Sequence, residues 1–158
     1  MLGKSLLTAH GDLLMDIIVL SLLVIIPAMI VSIRQIRVHK NYKKHKNIQI
    51  GLYWTLVVVI MFFEYDLQSK GGIWEMTKDS YYAGTDFLKY TVYVHLFFAF
   101  TTAFLWTITI PISFYIYREK LAPNKYSTLH RILGWTDVIF MTGTGLTGTW
   151  LYYVGFYN

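Results

Sequence analysis

Apolar residues gather in four long stretches, Leu13–Ile33, Ile48–Leu67, Tyr90–Tyr117 and Leu129–Tyr153, separated by polar and charge-rich segments. Crossing a hydrocarbon layer of ~30 Å takes about 20 mostly apolar helical residues, and each stretch is near that length. The pattern therefore predicts an all-α polytopic membrane protein, an antiparallel four-helix transmembrane bundle forming one domain over residues 1–158. The second stretch is the poorest, because its dense apolar run ends at Phe63 before Glu64 and Asp66. The third is long enough to tilt or to project beyond the bilayer. A membrane barrel would need many alternating segments of about ten residues, not four continuous ones. Pro27 and Pro111 fall inside helices one and three, where a proline removes a backbone hydrogen bond and bends the helix. In helix four, the run Thr142-Gly143-Thr144-Gly145-Leu146-Thr147-Gly148-Thr149 supplies the small residues that let helices approach closely within lipid. The long connection, residues 68–89, carries Gly71-Gly72, Trp74 and Tyr81-Tyr82 and is expected to lie on the membrane as an aromatic cap.

Composition agrees with a lipid environment: 55% of the residues are hydrophobic and only 15% charged, against roughly a quarter in soluble domains. Arg34, Arg37, Lys40, Lys43, Lys44 and Lys46 occupy the first connection, and Arg118, Lys120, Lys125 and Arg131 the third. Both connections share one side of the bundle, which the positive-inside rule assigns to the cytoplasm, so both termini are expected outside. The net charge of +5 is thereby explained as topology signal and anionic-lipid contact, without nucleic acid. The chain has no cysteine, which excludes disulfides, thiolate metal sites, iron–sulfur clusters and cysteine catalysis. No nucleophile elbow or phosphate loop is present, so hydrolase and nucleotide chemistry have no motif, and an enzymatic role is disfavoured.

The candidate chemistry lies in ionisable groups near membrane depth, where they face the interior, pair, or serve a function. Counting along the helices from the basic end places Asp16, Glu64, Asp66 and His95 at one outer level, with Asp12 a turn above Asp16 and His10 higher still. Carboxylates and an imidazole converging there would suit a transition metal such as iron, manganese, zinc or copper. Against this stands the reading that the acids simply end their helices in the headgroup region. At the basic end, His45 opens helix two and His130 opens helix four, so the two could meet as axial haem ligands or as a metal pair. His95 with His10 could do the same outside. His39, inside the basic loop, reads as solvated.

The sequence His45-Lys46-x-Ile48, His95, and His130-Arg131-x-x-Gly134-Trp135-Thr136 followed by Thr147-Gly148-x-x-x-Tyr152 resembles the YozB-like (CtaM-like) bacterial membrane proteins, a four-helix family. The resemblance runs over most of the chain. It implies a multi-pass protein of the bacterial cytoplasmic (inner) membrane, connected with assembly or function of a respiratory haem–copper oxidase through the handling of haem or copper. The family usually has a histidine at the outer end of helix two, where this chain has Glu64-Tyr65-Asp66. The leading expectation is a metal or haem protein of this kind with an outer site of His95, Asp16, Asp12 and Glu64 or Asp66. The alternatives are a b-type cytochrome ligated by histidine pairs and a cofactor-free subunit of a larger membrane complex.

Overall fold

The computed structural model describes residues 5–8 and 11–156, whose regular elements are all helices, with no strand among them. The order is α1 (Leu13–Arg37), α2 (Tyr42–Ser69), the single turn and a half of α3 (Gly72–Met76), α4 (Asp86–Ile116) and α5 (Ser127–Phe156). Side-chain caps fix three of the starts. Asp12 accepts from the Met15 amide, Asn41 from Lys44 and Thr85 from Leu88, each satisfying a donor that the first helical turn leaves open. Both prolines are accommodated inside continuous helices.

The helices run further than the apolar stretches. α2 begins at Tyr42, six residues before its hydrophobic run, and α5 extends from Ser127 to Phe156. The polar first turn of α2 is held by its cap and by contacts to α1, which hydropathy does not register. Three helices, α1, α2 and α4, are long and apolar enough to cross a membrane. α5 is equally long, but threonines, glycines and Asp137 dilute it. Its threonines fold their hydroxyls back onto the carbonyls one turn earlier, as Thr142 does to Val138 and Thr149 to Gly145, so the donors are satisfied within the helix.

Cross-helix pairs establish an up-down-up-down arrangement. Ser32 meets His45 and Asp12 meets Lys70 along α1 and α2. Asp16 meets Tyr152 and Arg37 meets Trp135 along α1 and α5. His95 meets Thr147 and Ser113 meets His130 along α4 and α5. A central apolar cluster draws Leu22, Ile25 and Met29 from α1, Leu56 from α2, Trp106 from α4 and Met141 from α5. α2 is the peripheral member, with Leu56 its one buried residue.

The connection is shorter than expected, 70–85, because α2 runs to Ser69 and α4 begins at Asp86, and it folds over one end of the bundle. The chain reverses through Gly71 and Gly72, both at positive φ (90° and 83°), a conformation open to glycine. Ile73 and Tyr82 then pack over Leu88, Val92, Leu151 and Val154, and the buried Ser80 hydroxyl donates to the Val154 carbonyl at 2.8 Å. The cap thus seats on the ends of α4 and α5.

The small residues of α5 act as slots. A Cβ on Gly143 would stand 2.4 Å from the Phe98 ring, one on Gly148 2.9 Å from His95 Cε1, and one on Gly145 3.0 Å from Ile26 Cδ1. α4 therefore approaches α5 at Gly143 and Gly148 more closely than a Cβ would allow, while α1 meets Gly145 through the tip of Ile26.

Candidate functional site

Residues 95, 102, 109 and 113 of α4 recur at spacings of seven, seven and four, and residues 147, 144, 137 and 130 of α5 at three, seven and seven. Each set lies on one helix face. Packed antiparallel, they make a polar seam along the bundle: His95–Thr147 at 3.1 Å, Thr102–Thr144 at 2.8 Å, Thr109 opposite Asp137, and Ser113–His130 at 2.8 Å.

At the basic end the seam meets α2. His45 and His130, from different helical hairpins, stand with ring centroids 6.2 Å apart and planes nearly perpendicular. Both are only partly exposed. Hydrogen bonds fix their tautomers. His45 Nδ1 lies 3.1 Å from the Ser32 carbonyl, which can only accept, so Nδ1 carries the proton. The Ser113 hydroxyl donates to the Thr109 carbonyl at 2.5 Å and so accepts from His130 Nδ1–H. In both rings Nε2 keeps its lone pair. The Ser32 hydroxyl, held by Gln49, and the Tyr117 ring 5.3 Å from His130 hold the two imidazoles in place. Anchoring Nδ1 on an oxygen while presenting Nε2 is the arrangement metal-binding histidines use. Two imidazoles sharing an ion through bonds of about 2.0–2.1 Å stand with ring centres roughly 5–6.5 Å apart, so the observed spacing fits one. No carboxylate joins the pair, since no group of three or more potential ligands exists among the described residues. The rim is basic, with Arg37 over Trp135 and Lys46 over Phe114.

The end opposite the basic loops is arranged differently from the expectation of one metal pocket. Asp12 and Asp66 do come together, but around the Lys70 ammonium, which bonds to both. Burial lowers the pKa of Lys70, yet the two hydrogen bonds and the two negative charges outweigh it, and the pKa stands above its ordinary value. Asp16 lies apart and is fully buried. It accepts from the Tyr152 hydroxyl, the Ser5 hydroxyl at 2.8 Å and the Leu6 amide at 2.6 Å, tying the N-terminal segment to α5. Glu64 points to the surface and accepts from Gln68. His95 sits in the Gly148 slot, its Nδ1 on Thr147, whose own hydroxyl is committed to Gly143; His95 thus donates from Nδ1. The residues expected to share an ion are thus divided among a lysine, a tyrosine, a glutamine and a threonine. His10 lies outside the described residues.

Sequence reasoning passed over two residues. Lys70 sits in the connection, where only the fold shows that it reaches back between two helix ends. Asp137 had a visible signal, a single carboxylate in the middle of an apolar stretch and two turns from His130 on the same face. In the structure Asp137 is 2% exposed, and neither of its oxygens has a hydrogen-bond partner among the described residues. The Thr109 hydroxyl approaches it without closing a bond of normal geometry and is itself unpartnered.

Compared with family models, curated proteins and solved structures, the chain matches none.

Proposed function

We propose that the protein crosses a bacterial cytoplasmic membrane four times, with its basic end in the cytoplasm and both termini outside. It holds a transition metal ion (copper, iron or zinc) between His45 and His130 in support of a respiratory haem–copper oxidase. The observation carrying this reading is the close approach of two imidazoles from separate hairpins, each held through its Nδ1 by a serine. The four-span reading extends the three apolar helices to α5, which packs against two of them and satisfies its own hydroxyls. Orientation rests on the basic loops, and the oxidase on the likeness to the YozB-like proteins.

With two protein ligands, an ion at this site keeps open positions for water or for a donor from a partner. It would supply Lewis acidity or one-electron chemistry. The protein's own residues do the rest: Ser32 and Ser113 fix ring orientation, and the surrounding apolar helices limit access by water. The basic rim favours haem as a second reading, since its carboxylates would pair with Arg37 and Lys46. His45 and His130 are then its axial ligands.

Elemental analysis and an optical spectrum of the protein purified from membranes test both. A stoichiometric ion, or a Soret band, is expected in the wild type and is lost in His45→Ala and in His130→Ala. A folded protein with neither, co-purifying with stoichiometric partners, refutes the proposal in favour of a cofactor-free subunit.

A further inference from the structure

The His45–His130 pair consists of two neutral ligands in a basic setting, so a cation bound there lacks a counter-charge among its immediate neighbours. The nearest buried carboxyl along the same face of α5 is Asp137, two turns away, about 10 Å at 1.5 Å per residue. Two residues of α4 connect them. Thr109 turns its hydroxyl toward Asp137, while its carbonyl accepts from Ser113, which in turn accepts from His130 Nδ1. Ser113 and Thr109 thus lie in sequence between the His130 ring and the Asp137 carboxyl.

Arg34 and Arg37 of α1 lie near the level of Asp137, but both are exposed, Arg37 rests on the Trp135 ring, and neither bonds to the Asp137 carboxyl. The ionisable residues flanking that level are His130, Arg131 and Tyr152 on α5, His95 and Tyr115 on α4, Asp16 and Arg34 on α1, and Tyr53 on α2. The structure pairs most of them elsewhere: Asp16 with Tyr152, His95 with Thr147, Tyr53 with Thr107 and Tyr115 with Arg118. An unpaired carboxylate sealed among apolar helices is costly, whereas a carboxylic acid is tolerated.

We propose that Asp137 is the exchangeable counter-charge of the histidine pair, holding a proton while the pair is free and releasing it when a divalent cation binds there. This rests on reading the pair as a metal site. In the exchange the carboxyl O–H bond breaks, its electron pair stays on the oxygen, and the proton leaves to bulk water. No electron is transferred, and the interior gains one positive charge where it would otherwise gain two.

The test uses the full chain in lipid nanodiscs titrated with zinc alone, chosen because it is redox-inert. Bound zinc is read by elemental analysis, and the protonated carboxyl by its infrared C=O stretch. Wild-type protein is expected to bind zinc, lose that band and release roughly one proton per ion. Asp137→Asn is expected to lack the band, to release no proton, and to bind zinc at least roughly tenfold more weakly, since a divalent ion about 10 Å from a carboxylate at an effective dielectric near 20 gains on the order of a hundredfold, less the cost of releasing the proton. Zinc binding with the wild-type band unchanged overturns the inference and leaves the metal site standing. No zinc binding by folded wild-type protein overturns both. The wild-type spectrum decides even where the variant fails to fold.

Discussion

Gly143→Ala probes the tightest of the glycine positions in α5. The added methyl would lie 2.4 and 2.5 Å from Cδ1 and Cε1 of Phe98, with Cγ at 3.1 Å. Carbon contacts settle at about 3.5–4.0 Å. The ring has little room to swing, because Phe97 and Phe140 pack against it at 5.5 and 5.8 Å between centroids. Relief therefore requires α4 and α5 to part by roughly 1 Å, taking the Thr102–Thr144 and His95–Thr147 bonds beyond hydrogen-bonding distance. Overpacking costs about 1–3 kcal/mol. The two interhelical bonds add about 0.6 kcal/mol each in a membrane protein. Alanine's better helix propensity returns about 1 kcal/mol. The net loss is then about 1–3 kcal/mol. Gly134→Ala, with nothing within 4 Å of the new methyl, keeps only the propensity gain. Reversible unfolding in mixed detergent micelles, followed by circular dichroism, should separate the two variants by at least ~2 kcal/mol. Phe98→Leu should rescue Gly143→Ala in a double-mutant cycle. Equal stability of the two alanine variants would show that α4 and α5 are not packed this closely.

Three further outcomes are expected. Stability should fall as the pH rises above about 10.5, because the raised pKa of Lys70 makes its ion triad fully stabilising below the unfolded value and lost above the folded one. Lys70→Met should remove that dependence at a cost on the order of 1 kcal/mol, and a dependence unchanged in the variant would assign it elsewhere. Tyr152→Phe leaves Asp16 with one donor fewer, should cost about 1–3 kcal/mol, and should speed hydrogen exchange at Leu6; unchanged exchange would mean that the N-terminal segment is held by other contacts. Because the chain lacks cysteine, single cysteines at Lys120 and Tyr81 can be labelled cleanly; an impermeant reagent on intact cells should reach only the latter, and the reverse pattern would invert the topology.

Hydropathy located the helices because burial in lipid imposes a length and a composition on each. It placed their ends poorly where capping and tertiary contacts extend a polar first turn, as at Tyr42. The meeting of His45 and His130 was legible, since both open helices at the same end of an antiparallel bundle. The outer cluster was not. Depth alone says that Asp12, Asp16, Glu64 and Asp66 share a level, but helix rotation decides whom each one faces. Lys70 took Asp12 and Asp66 together, Tyr152 took Asp16, and Gln68 took Glu64. The seven-residue recurrence joining His95, Thr102 and Thr109 on α4, and Thr144, Asp137 and His130 on α5, was present in the sequence, but threonine spacing carries no signal until the partner face is known.

The histidine pair can be examined directly by X-ray absorption at the edge of the metal bound to purified protein. Two imidazole nitrogens at about 2.0–2.1 Å are expected in the wild type and in His95→Ala, whose ring lies some 27 Å along α4 from Ser113 at 1.5 Å per residue; neither remains in His45→Ala/His130→Ala. Imidazole ligation that persists in the double variant, or disappears in His95→Ala, would contradict the placement of the site at the basic end.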